Sequence, residues 1–140
     1  MNDLLFVYGT LSPSRAPAHL REITAQLKPL SAGSMPGRVY DLGDFPGAVF
    51  AAAAATRVHG EVFEFPSESR LLCQLDEYEG FMPAGTSQSL FIRERRPITL
   101  TGGTQLPCWV YLYNRDPGNS PLIPGGDYST WISSHHTSHS

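Results

Sequence analysis

The sequence predicts an α+β domain of mostly antiparallel strands with two main helices packed on them, and three observations carry the prediction. Short runs rich in β-branched and aromatic residues recur between turn signals from Gly33 onward. Two such runs, SLFIRERRPITL and LPCWVYLYNR, are separated by Thr101-Gly-Gly-Thr, the mark of a hairpin. One segment, SESRLLCQLDEYEG, instead carries the three-and-four spacing of an amphipathic helix. At 140 residues, with 41% apolar and 16% charged residues, the chain has the composition of one domain able to bury a core.

Taken in order, residues 3–8 read as a strand that stops in Tyr8-Gly9-Thr10-Leu11. Ser12-Pro-Ser-Arg-Ala-Pro then turns into a helix expected over 18–27. Residues 33–65 are extended pieces, GRVYDLG, FPGAVFAAA and VHGEVFEF, punctuated by Gly-Asp, Pro-Gly and Pro66. The alanine run at 51–55 favours a helix by composition but is too short to hold one, so it is expected as loop or strand edge. In the main helix, Ser67 or Ser69 is the candidate N-cap and Gly80 the left-handed stop. Beyond the hairpin the chain is rich in Pro and Gly, and Asp127 in IPGGDYSTW is placed to cap a short helix that packs Trp131 on the strands. Periodicity ends after Ile132, so residues 1–132 are expected to form the domain and 133–140 a disordered tail.

Composition narrows the function. A formal charge of −3, with Lys28 the only lysine among ten basic residues, leaves no basic stripe for nucleic acid. No apolar stretch approaches the ~20 residues of a membrane span, and Asp3 stands where a signal peptide wants a basic residue. A soluble cytoplasmic protein with neither nucleic-acid nor membrane partner is expected. Cys73 and Cys108 lack metal-ligand spacing and read as buried thiols, with a disulfide as the alternative. His59 reads as a satisfied or exposed strand histidine. His135, His136 and His139 resemble a metal-binding tract only in composition and fall in the tail, so no metal site is expected.

Two stretches carry chemistry. Leu72, Leu75 and Glu79 are spaced i, i+3, i+7 beside a row of Leu71, Leu75 and Tyr78, which puts Glu79 on the apolar side of its helix. Asp76 and Glu77 fall further round, where solvated acids belong. Burial and the negative helix end both favour the protonated form of Glu79, the profile of a general acid/base. The alternative is an edge-of-face glutamate that reaches water or pairs with Arg93 or Arg95. In the turn after the first strand, Gly9 permits a concavity of backbone N–H groups able to hold a carboxylate or an oxyanion, with Thr10 adding a hydroxyl and Tyr8 a ring wall. The alternative is an ordinary strand-to-loop turn.

Together, YGTL, YDLGDFPGAV, HGEVFEF, LDEYEGF and the paired FIRERR and CWVYLY resemble the gamma-glutamylcyclotransferase-like family, from about residue 4 to about residue 131. The order and separation of these pieces make the set specific. The resemblance implies a small mixed, mostly antiparallel β-barrel with flanking helices. It also implies an enzyme that cleaves a γ-glutamyl amide through attack by the substrate's own α-amine, releasing 5-oxoproline and a free amine. Its partner is a small-molecule γ-glutamyl substrate, with no cofactor and no metal. Carried over by position, Glu79 is the catalytic acid and Tyr8, Gly9, Thr10 and Leu11 are the substrate-cradling turn. One carboxylate suffices to deprotonate the α-ammonium and reprotonate the leaving nitrogen, because nucleophile and electrophile share one molecule. Family members commonly carry a tyrosine where this chain has Phe91, so one phenol is missing. Arg93, two residues on, pairs either with the substrate's α-carboxylate or with a neighbouring acid. A non-catalytic binder of γ-glutamyl or amino-acid ligands, and an amide hydrolase built on the same glutamate, are the competing functions.

Overall fold

The computed structural model describes residues 2–8, 25–42, 46–67, 70–79, 91–123, 125–128 and 131. Its strands are β1 (Asn2–Val7), β2 (Lys28–Asp41), β3 (Pro46–Phe50), β4 (Arg57–Pro66), β5 (Phe91–Leu100) and β6 (Gln105–Tyr113), and between β4 and β5 lies the helix α1 (Leu71–Glu79). Neighbours follow the order β3-β2-β4-β1-β6-β5, and a further pairing of β2 with β5 joins the ends. Five strands therefore close into a barrel, with β3 added on the second half of β2. The β1–β6 pair is parallel and the other pairs are antiparallel, so the barrel is mixed.

Strand alternation sorts the side chains into two cores. Phe6, Met35, Val58, Val62, Ile98, Cys108 and Val110, drawn from all five barrel strands, fill the interior. The opposite faces of β1, β4 and β6 supply Leu5, Val7, Phe63, Phe65 and Tyr111 to a second cluster outside the barrel, which Leu71 and Leu75 of α1 cover. This two-sided burial explains the unbroken apolar runs LLFV and CWVYLY, where one solvated face would have left alternation. Leu71 and Leu75 are fully buried, and each such leucine contributes about 1.5–3 kcal/mol toward docking a helix too short to stand alone.

The β5–β6 hairpin forms as the Thr101-Gly-Gly-Thr turn predicts, with Gly103 N–H donating to the Leu100 carbonyl and Leu100 N–H to the Thr104 carbonyl. Residues 51–56 are turn and coil, as the short alanine run implies. Trp131 packs against the inner core as read, and its backbone N–H donates to the Asp127 main-chain carbonyl at 3.0 Å. Its indole N–H donates to Asp41 Oδ2 at 2.8 Å. His59 is exposed on β4.

Other expectations need correction. The helix expected at 18–27 does not extend through its described end, because residues 25–27 form a turn and a lead-in to β2; residues 18–24 lie outside the described residues. Pro29 holds the residue before it extended, so the chain enters β2 at Lys28, five residues ahead of the predicted extended region. Ser67 is in a turn before α1, and among the described residues Gln74 N–H donates to the Arg70 carbonyl at the start of the helix; Ser69 and Gly80 lie outside the described residues. Cys73 is exposed rather than buried, since it sits two positions from Leu71 and so on the far side of α1. Cys108 is buried in the barrel, and both thiols are free. Among the described residues no helix is long and apolar enough to cross a membrane. Residues 132–140, with the three tail histidines, lie outside the described residues.

Candidate functional site

α1 is laid on the outer face by Leu71 and Leu75, and this docking carries the next residue, Asp76, into the same contact. Asp76 is 7% exposed. Its Oδ1 accepts from Arg93 Nε at 2.8 Å and its Oδ2 from Arg93 Nη2 at 3.0 Å, a bidentate pair. The Tyr111 hydroxyl donates to Oδ1 at 2.6 Å and lies 3.4 Å from the Leu72 carbonyl. Arg93 and Tyr111 are directly opposite each other on β5 and β6, so the hairpin presents both to one carboxylate. The Arg93 guanidinium is 4.6 Å from the centroid of the Trp109 ring, and Arg95 lies at the same distance. The hydrogen bonds to Asp76 raise the pKa of Arg93, outweighing the opposing effect of burial.

Asp76 is thus no solvated acid. It lies four positions after Leu72, and that interval was the available signal, since i and i+4 share a helix face. The neighbouring-acid reading of Arg93 holds, with Asp76 as the acid. Arg95 pairs with Asp3 at 3.2 Å on a much more exposed surface.

Tyr8 follows β1 and turns its ring toward the inner core beside Phe6. Its hydroxyl donates to the main-chain carbonyl of Tyr111 and accepts the Ala48 N–H at 3.2 Å. The predicted wall residue is therefore fastened to β6 and β3 through its oxygen. Gly9, Thr10 and Leu11 lie outside the described residues, and Glu79 is the last residue of α1, its side chain likewise outside them. Phe91, which opens β5, is buried in the outer cluster, and its ring centroid is 5.6 Å from that of Tyr113 across the hairpin. Among the described residues no group of three or more His, Cys, Asp or Glu side chains is arranged to hold a metal.

The arrangement links the outer cluster, where α1 docks, to Tyr8 at the inner core. The Asp76 oxygens are committed to Arg93 and Tyr111, which suits an anchor for α1 rather than a reacting group. One helical turn beyond that anchor stands Glu79, and the other end of the same network holds the residue that begins YGTL.

Comparison with known proteins follows the same lines. A family described as gamma-glutamyl cyclotransferase, AIG2-like, matches residues 5–130. The chain is 33% identical over 114 residues to a gamma-L-glutamyl-butirosin B gamma-glutamyl cyclotransferase from Niallia circulans, covering 80% of this chain and 67% of that protein. It superposes on YkqA from Bacillus subtilis with a TM-score of 0.70 at 22% identity, over 97% of this chain and 43% of YkqA. An AIG2-like protein from Mus musculus gives 0.67 at 18% identity, over 88% and 86% of the two chains. These two structures share the fold, and this chain spans less than half the length of YkqA.

Proposed function

Because the chain belongs to the gamma-glutamyl cyclotransferase, AIG2-like family, we propose that it cleaves a γ-glutamyl amide to 5-oxoproline and a free amine, with Glu79 as general acid/base. The match over residues 5–130 carries this reading. Glu79 takes a proton from the substrate's α-ammonium, and the freed amine attacks the γ-carbonyl carbon of the same molecule. Closing a five-membered ring needs a held conformer more than an activated second reactant. Backbone N–H groups in the turn of Tyr8, Gly9, Thr10 and Leu11 meet the developing oxyanion. The amide C–N bond then breaks as Glu79 returns its proton to the departing nitrogen, and the second proton of the attacking nitrogen is given up to leave the neutral lactam, so that the amine departs as its ammonium. The atoms balance with no metal or cofactor.

Support from the fold is indirect and consistent. The network around Asp76 fixes the helix that ends in Glu79, and the Tyr8 hydroxyl fixes the start of the turn. A second reading, a binder that holds a γ-glutamyl ligand without turnover, draws on Phe91 of the outer cluster, where the phenol common in the family is missing.

The test is a panel of γ-glutamyl amines and dipeptides, including a γ-L-glutamyl derivative of butirosin B, the ligand named for the Niallia relative. Product is followed by mass spectrometry. At least one member is expected to yield 5-oxoproline, unaffected by chelators, faster at neutral than at acidic pH. Glu79→Gln is expected to slow turnover by roughly 10²- to 10⁴-fold while retaining fold and ligand binding. Glutamate in place of 5-oxoproline would mean water is the nucleophile. Binding without product across the panel would favour the binder.

A further inference from the structure

We propose that Tyr111 is a positioning residue that fixes α1 relative to the turn begun by Tyr8, using its side chain for one and its backbone for the other. The hydroxyl donates to Asp76 of α1 at 2.6 Å, while the main-chain carbonyl accepts the Tyr8 hydroxyl. Both contacts are made by one residue of β6, two positions before the strand ends. β6 is paired with β5 on one side and β1 on the other, so the Tyr111 backbone has little freedom to shift. Its ring is 4% exposed within the outer cluster, which removes the side-chain freedom as well. Tyr8 is held a second time by the Ala48 N–H at 3.2 Å, and Asp76 by both arms of Arg93. A slide or rotation of α1 is therefore resisted at Asp76, one helical turn before Glu79.

This inference rests on the reading of Glu79 and the Tyr8 turn as the two halves of the reacting site. If they are, their separation governs rate more than affinity, since displacements near 1 Å cost on the order of 10²-fold when a substrate must be held folded for attack. Tyr111→Phe removes the hydroxyl and leaves the ring, the carbonyl and the Asp76–Arg93 pair in place. The expected result is a fall in kcat of roughly 10-fold or more with KM changed by less than about 2-fold. Ile98→Val, a trim in the inner core away from both contacts, serves as the stability control and is expected to leave kcat unchanged.

A double-mutant cycle with Tyr8→Phe tests the bridge itself. The two changes are expected to be non-additive in kcat, the second costing less once the first is made. Hydrogen–deuterium exchange supplies a readout independent of turnover: Tyr111→Phe, which keeps the carbonyl, is expected to reduce protection in α1, and Tyr8→Phe to reduce it at the end of β1. Wild-type kcat in Tyr111→Phe, strict additivity, or unchanged protection in both variants would each overturn the bridge. Absence of 5-oxoproline from the wild type alongside these two losses of protection would sink the proposed reaction and leave the bridge standing.

Discussion

Asp76 shows how far a single residue can depart from its apparent setting. Its own helix supplies the position, four residues from Leu72, but its partners come from strands 17 and 35 positions away. Helical spacing reports a face and says nothing of what a distant strand will bring to it. Glu79 stands out in the spacing as a polar residue on an apolar row, whereas Asp76 sits on the shoulder of that row, where spacing alone does not mark it. The ion pair is largely buried, with side-chain exposures of 10% for Asp76 and 17% for Arg93. Removing one partner of such a pair leaves a desolvated charge behind. Asp76→Ala is therefore expected to destabilise by about 3 kcal/mol in urea unfolding. Asp3→Ala, whose partner Arg95 is half exposed, is expected to cost less than about 1 kcal/mol. Equal losses in the two variants would remove the burial argument.

At the scale of elements, legibility followed locality. The β5–β6 hairpin and α1 were readable because a hairpin turn and a helical repeat are written within a dozen neighbouring residues. β2 was harder: its 14 residues serve β4, β5 and β3 in succession and pass through Pro29 and Pro36, which a local reading takes as breaks. The C-terminal strap is a further case. IPGGDYSTW reads as a turn in which Asp127 caps a short helix, yet nothing in it announces that Gly126 brings its carbonyl to the His59 N–H and lies against the backbone of Arg57. Gly126 has φ +66°, and an added Cβ would stand 1.7 Å from the Arg57 carbonyl oxygen. Gly118 has a similar φ of +57° but open space around it. Gly118→Ala is expected to cost about 1 kcal/mol from the left-handed backbone alone. Gly126→Ala must also displace the strap from β4, and thermal unfolding should show a clearly larger loss; matching melting temperatures would refute the close approach.

For the whole molecule, what the chain's local pattern could not convey is closure. The barrel depends on β1 lying between β4 and β6 and on a short pairing of β2 with β5, and no local spacing encodes either contact. The closed interior has an electrostatic consequence. Desolvation pushes the Cys108 thiol from an ordinary 9.0 up to about 11. The native state then keeps its proton where the unfolded chain has lost it. Stability from this group is complete below pH 9.0 and drains away as pH climbs toward about 11. Melting temperature against pH should fall more steeply over that window in the wild type than in Cys108→Ala; parallel curves would mean the thiol is not sealed. The placement of β1 also bears on how the protein is made. β1 is synthesised before the strand that closes its second edge, since the Tyr8 hydroxyl finds its acceptor 103 positions later, on β6. Until β6 emerges, β1 can pair with only β4 of its two barrel neighbours. So non-local a seam makes closure a slow step of folding, during which one edge of β1 stays open.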